Sequence, residues 1–236
     1  MLVLPVKVFE ITEEVDFGFL VQKLKNFREE EAYRIESGEE ISLVTEILDL
    51  KVEGQVVSGI FSRDFVGARF YKRELVETPS TEEAPFWIVT YNDRKFLIVM
   101  APSVARGVKR LLTGTVANKL SRVLFIQVGA VVEVNIPSET LRELHEANPA
   151  GTKLIWFDNV DIPGVEKLCL AGSDVADTAL YKDYLRHGQI WYVVFEAQRR
   201  GIVIGITRNC TVTLFSKSTI GELIQYIQQD ILKLIQ

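Results

Sequence analysis

Over the first eleven residues apolar and polar positions alternate, the period of a half-buried strand. From Phe17 the period changes. Phe17, Leu20, Val21, Leu24 and Phe27 recur at helical spacing, and Asp16 is placed to cap the first turn. Residues 29–40 are too acidic to leave an apolar face, which predicts a solvated helix end and loop. Strand character returns over 41–61. Val44, Ile47, Leu50 and Val52 precede Glu53-Gly54, and Val56, Val57, Ile60 and Phe61 follow it, the pattern of a hairpin. Residues 68–76 read as a weaker strand and 77–85, with two prolines and three glutamates, as a surface loop. Residues 86–91 and 96–100 flank Asn92-Asp93-Arg94 as a second hairpin.

Residues 103–122 have a helical apolar stripe, although Gly107 and Gly114 each cost roughly 1 kcal/mol against alanine and predict a break near Gly114. The apolar run 123–136 reads as a strand, followed by a helix with Ser138 as its cap that ends near Asn148-Pro149. Beyond it the pattern predicts strands at 153–157 and 165–170, a short helix at 178–186, a hairpin over 190–215 and a closing helix from Thr219. Together these elements predict an α+β fold of antiparallel sheets covered by helices. Two similar-sized subdomains are expected, 1–136 with the basic helix and 137–236 with the hairpin and closing helix.

Composition narrows the function classes. With 236 residues, 47% of them hydrophobic, the chain can bury an ordinary core. No apolar run approaches the roughly 20 residues of a membrane-spanning helix, so no membrane contact is expected. Cys169 and Cys210 sit in alternating apolar stretches and read as buried free thiols of a reducing compartment, which predicts a cytoplasmic protein.

Catalytic signatures are missing from the sequence. There is no phosphate-binding glycine loop and no nucleophile elbow. His145 and His187, the two histidines, lie on predicted helices and read as structural, His187 as a helix C-terminal cation. Asp158, Asp161, Asp174, Asp177 and Asp183 form an acidic cluster with Glu196 nearby, but their spacing is that of turns and caps. A magnesium-dependent nuclease using Asp177, Asp183 and Glu196 is the enzymatic alternative. The leading expectation assigns no catalytic residue, no metal and no cofactor.

Charge is distributed unevenly. The chain has 27 basic and 32 acidic residues, yet between Arg94 and Val132 there are seven bases (Arg94, Lys95, Arg106, Lys109, Arg110, Lys119 and Arg122) and no acid. Arg106, Lys109 and Arg110 stand at i, i+3 and i+4 of a helix, one face suited to phosphates at a salt-dependent affinity. Arg199, Arg200 and Arg208 form a smaller group on the 190–215 hairpin. These ten residues are the expected contacts to DNA or RNA. The stripe of Ile220, Ile224, Ile227 and Ile231 on the closing helix is the expected surface for a protein partner or a second copy, the latter allowing a third reading as a structural homodimer without nucleic acid.

The opening strand LVLPVKVFEI, the hairpin ISLVTEILDLKVEGQVVSGIF and the basic helix after KFLIVMAPSVARGVKRLL resemble, in their order, the small proteins encoded beside truncated archaeal Argonautes. Such proteins supply the N-terminal and linker domains that their partner lacks. The resemblance implies a non-catalytic subunit of a heterodimer that helps form a channel for guide and target nucleic acid. It carries no residue-level assignment.

Overall fold

The computed structural model describes residues 4–36, 38–101, 112–127, 129–197, 200–216 and 219–235. Among them, strands hold 47% and helices 28%. Twelve strands form one sheet, which overturns the expected balance of sheet and helix; its hydrogen-bonded order is Arg28–Arg34, Glu40–Glu53, Val56–Tyr71, Glu74–Tyr91, Arg94–Met100, Leu4–Ile11, Thr211–Leu214, Ile202–Thr207, Gln189–Ala197, Thr152–Asp158 and Leu168–Ala171, with Val131–Glu133 beside Leu4–Ile11. The fold is therefore largely β. Much of the difference lies in the long strands Val56–Tyr71 and Glu74–Tyr91, which run through stretches read as connections, and in the polar strand Arg28–Arg34.

The chain divides into two compact units, residues 9–132 and residues 133–236 together with 1–8. The strand β1 (Leu4–Ile11) contributes to both.

The first of these, the meander unit, follows β1 with α1 (Phe17–Lys25), then β2 (Arg28–Arg34), β3 (Glu40–Glu53), β4 (Val56–Tyr71), β5 (Glu74–Tyr91), β6 (Arg94–Met100) and α2 (Thr113–Phe125). Strands β2 to β6 pair antiparallel, each with the next. Asp16 caps α1 by accepting from the Phe19 N–H at 2.9 Å. Leu20 and Leu24 of α1 and Val116, Leu120 and Leu124 of α2 share a core with Phe61, Phe86, Ile88, Leu97 and Val99 of the sheet.

Three expectations fail here for identifiable reasons. The segment read as an acidic loop contains β2, an edge strand paired only with β3 and exposed at nearly every position, so it needs no apolar face. The proline-bearing stretch 77–85 lies inside β5. Pro79 and Pro85 sit where β5 pairs with β4 alone, β6 reaching only Phe86–Tyr91, so an absent N–H on the outer side opens no ladder bond. Finally, Val123 and Leu124 extend the stripe of α2 instead of opening a strand. The helix ends at Ile126 in the left-handed region (φ 63°), and β7 keeps only Val131–Glu133.

The second, terminal unit contains α3 (Ser138–Glu146), β8 (Thr152–Asp158), β9 (Leu168–Ala171), α4 (Ala179–His187), β10 (Gln189–Ala197), β11 (Ile202–Thr207), β12 (Thr211–Leu214) and α5 (Ile220–Tyr226). Leu4 to Lys7 of β1 pair with β12. Close packing across β10 and β11 requires Gly205, because a Cβ there would stand 2.4 Å from the Tyr192 hydroxyl. Thr219 and Glu222 form a reciprocal capping box at the start of α5. A widened turn follows at Ile227–Ile231, and Ile224, Ile227 and Ile231 are all buried. That stripe is core packing in the chain's own unit, and Ile220, 37% exposed, is its outward member. Cys169, expected inside, is exposed: β9 is an edge strand whose alternation buries Leu170 and turns Cys169 out.

Candidate functional site

Of the ten bases expected to meet nucleic acid, Arg106, Lys109, Arg110 and Arg199 lie outside the described residues. Four others are engaged by acids distant in sequence, namely Arg94, Arg200, Arg208 and, in the groove described below, Lys119. Arg94 grips Glu10 through two hydrogen bonds of 2.7 and 2.8 Å and stacks 5.1 Å from the Phe96 ring centroid. That hydrogen bonding holds the Glu10 carboxyl below the usual carboxylate range. Arg200 pairs with Asp230 at 3.0 Å and lies over the Tyr226 ring, tying the β10–β11 connection to the residues after α5. Arg208 pairs with Asp158, donates to Gln189 at 3.0 Å, and its backbone joins Ile136 and Trp191. These arginines act as internal clamps. Lys95 is half-buried on β6, opposite Thr90.

Lys119 and Arg122 differ, because successive turns of α2 place them at one rim of an open groove of ≈ 660 Å³ in the meander unit. Phe19, Gln22 and Lys23 of α1, with Asn26 at its C-terminal end, form the opposite wall, and Phe27, Arg28 and Glu29 close one end. Lys119 pairs with Glu29 and sits 5.8 Å from the Phe27 ring centroid. Arg28 holds Glu46 at 2.6 Å and Glu30 at 2.8 Å. Arg122 is exposed and makes no ion pair among the described residues. Phe19 is 47% exposed, with the Lys23 ammonium 5.3 Å from its ring centroid. The lining thus has four cations, one carboxylate and an accessible aromatic ring. Exposed ion pairs are worth about 0–1 kcal/mol each, so Lys119 and Arg28 can exchange their carboxylates for other anions at small cost.

Sequence pattern alone missed Phe19, Lys23 and Arg28. The available signal was Phe19 itself, a large aromatic off the buried stripe of α1, with Lys23 one turn further along the same face.

No protein-family model matches this chain. Nor does any curated protein match its sequence.

A second cavity of ≈ 430 Å³ shares Glu29, Lys119 and Arg122 with the groove and runs to the root of the β4–β5 hairpin. Its lining adds Glu30, Glu31, Arg63 and Asp64 to an apolar floor of Leu43, Phe61, Phe65 and Val66. Four carboxylates against three cations make it a poor anion site.

The terminal unit contains a buried polar chain. His145 is fully buried, with Nε2 3.1 Å from the Tyr181 hydroxyl and Nδ1 3.4 Å from Thr152 Oγ1. Tyr181 donates its only proton to Glu146 at 2.7 Å, so His145 must donate from Nε2, which leaves Nδ1 to accept. Burial pushes the imidazole down to about 4 and raises the Tyr181 phenol. Burial alone would raise Glu146, but the Tyr181 and Arg142 hydrogen bonds outweigh it and hold the carboxyl low. Every member is paired. The arrangement is a structural polar core.

His187 pairs with Asp161 at 2.9 Å, and Asp183 with Arg186 at 3.8 Å. Among the described residues, no three of His, Cys, Asp or Glu gather in a way that could hold a metal ion, and the acidic cluster from Asp158 to Asp183 is not brought together with Glu196. No helix among the described residues is long and apolar enough to cross a membrane.

Proposed function

We propose that the chain is a non-catalytic, nucleic-acid-contacting subunit, and that its contact surface is the α1–α2 groove of the meander unit. The observation that carries this reading is the groove's lining: Lys23, Arg28, Lys119 and Arg122 around an open channel, with Phe19 accessible beside them. Cations that track a phosphate backbone, together with an aromatic face on which a base can stack, are the general requirements for holding a single strand. The basic residues Arg106, Lys109 and Arg110 stand just before α2 in the sequence. The likeness to Argonaute-associated proteins points the same way and would make the partner an Argonaute-like effector.

The test is binding of labelled single- and double-stranded DNA and RNA across a salt series, with and without magnesium. Binding that weakens steeply with salt while the strands stay intact is expected. The Lys23→Glu, Arg122→Glu double variant should bind at least tenfold more weakly. Wild-type affinity in that variant, or no binding by the wild type, would overturn the proposal. Magnesium-dependent cleavage would transfer attention to Asp177, Asp183 and Glu196.

A further inference from the structure

The longest pairing in the meander unit is that of β4 with β5, which continues in register from Val57↔Ile88 to Tyr71↔Glu74. Beyond Thr45↔Arg63 the β3 ladder stops, and the hairpin goes on as a two-stranded arm. Glu77 steadies the arm midway by accepting from the Tyr33 hydroxyl at 3.0 Å and the Glu36 N–H at 2.8 Å. Past that clasp the arm ends in the cross-strand pair Phe70 and Leu75, 79% and 46% exposed, with Tyr71 59% exposed beside them. A tip of this kind places apolar surface in water.

Its turn is also costly. Lys72 and Arg73 both have positive φ, 48° and 74°, the geometry of a two-residue hairpin turn that favours Asn-Gly. The sister turns of the same unit use tolerant residues there, Gly54 in one and Asn92 and Asp93 in the other. Retaining two long cations in a conformation they disfavour, next to an exposed aromatic pair, is the pattern of a contact surface and not of a plain connection.

A surface of complementary chemistry exists on the same molecule. The second cavity has an apolar floor of Leu43, Phe61, Phe65 and Val66, and in its polar lining Glu29, Glu30 and Glu31 of edge strand β2, with Asp64, outnumber Arg63, Lys119 and Arg122. It opens at the root of the arm, and Val66 to Phe70 spans roughly 13 Å of strand. We propose that two copies of this chain exchange arms, the Phe70, Tyr71 and Leu75 tip of each entering the carboxylate-lined cavity of the other while Lys72 and Arg73 meet the β2 glutamates. Such a contact is isologous and closes at two copies. Covering the three tip side chains removes roughly 350 Å² per arm. With the cavity walls and the reciprocal insertion included, the pair buries about 1,400 Å², within the range of stable interfaces. The dimer does not depend on the nucleic-acid reading.

The experiment is sedimentation velocity of the full chain over a concentration series. A wild-type dimer is expected, with Phe70→Ser, Leu75→Ser shifted to monomer by at least tenfold in the dissociation constant. Lys72→Asn, Arg73→Gly should raise the melting temperature, since it suits the turn, and yet weaken the dimer; these opposite signs separate a contact role from a folding role. Lys72→Glu, Arg73→Glu and Glu30→Lys, Glu31→Lys should each be monomeric alone and form a dimer when mixed. A wild type that stays monomeric, a dimer indifferent to the tip variants, or charge-swapped variants that fail to recombine would each overturn the proposal.

Discussion

Acidification should destabilise the terminal unit through one residue, His145, in a window where few other groups act. In the folded chain its imidazole is fully buried and held neutral, with its protonation pushed down to about 4, whereas an unfolded chain protonates it near the ordinary value of 6.5. Above that value neither state holds the extra proton and stability is at its full level. Between 6.5 and 4 the unfolded chain binds the proton and the folded one does not, so stability falls with pH; below about 4 the loss is complete. The separation corresponds to roughly 3 kcal/mol in total, of which about 2 kcal/mol is lost by pH 5. Glu10, Glu146 and Glu222, whose folded carboxyls are lowered, lose their contribution at more acidic pH, which leaves the interval from 6.5 to 5 for the imidazole. Urea unfolding of the wild type and of His145→Gln should be compared at pH 7.5, 6.5, 5.5 and 5. The variant is less stable at pH 7.5, having lost the fit to Tyr181 and Thr152, but its curve should be flatter by about 2 kcal/mol across the interval. Parallel curves for the two proteins would refute the assignment.

Other perturbations isolate single interactions. Tyr181→Phe removes the hydroxyl shared by His145 and Glu146, and should cost about 1–3 kcal/mol in chemical denaturation because the buried His145 Nε2 loses its partner, whereas Glu146 keeps Arg142. Gly205→Ala forces Tyr192 off its seat and should lower stability by roughly 1–3 kcal/mol, with partial recovery in a Tyr192→Leu background. Arg94→Ala should weaken the fold by less than about 1 kcal/mol and leave the salt dependence of nucleic-acid binding unchanged, since Glu10 already holds the guanidinium. Arg122→Ala should do the reverse, with unfolding unaltered and the log–log salt slope reduced by about 1.

The contrast between those two arginines marks the limit of reading this chain locally. Spacing along the sequence located the capped helix at Phe17, the hairpin around Gly54 and the turn at Asn92, because each depends on neighbours within a few residues. The acids that occupy Arg94, Arg200 and Arg208 lie 84, 30 and 50 positions away, so one base of the island and two of the hairpin group turn out to be internal clamps, which spacing along the sequence does not reveal. Strand β2 was illegible for another reason: an edge strand exposed on both faces leaves no alternation to count. Pro79 and Pro85 suggested a loop because the rule against proline in strands assumes partners on both sides. In the groove, α1 and α2 are separated by 87 residues, and only packing brings Lys23 and Phe19 opposite Lys119 and Arg122.

The sharing of β1 between two units has a bearing on synthesis. Residues 9–132 are contiguous and can consolidate while the rest is still being made. Residues 4–7 find their partner strand only when Thr211–Leu214 has been translated, more than two hundred positions later. Closure of that ladder is therefore a late, long-range event with a high entropic barrier. Until it occurs, the N-terminal segment presents an unpaired strand edge, which is the point in the life of this chain where a chaperone or a neighbouring nascent strand competes most directly with the native pairing.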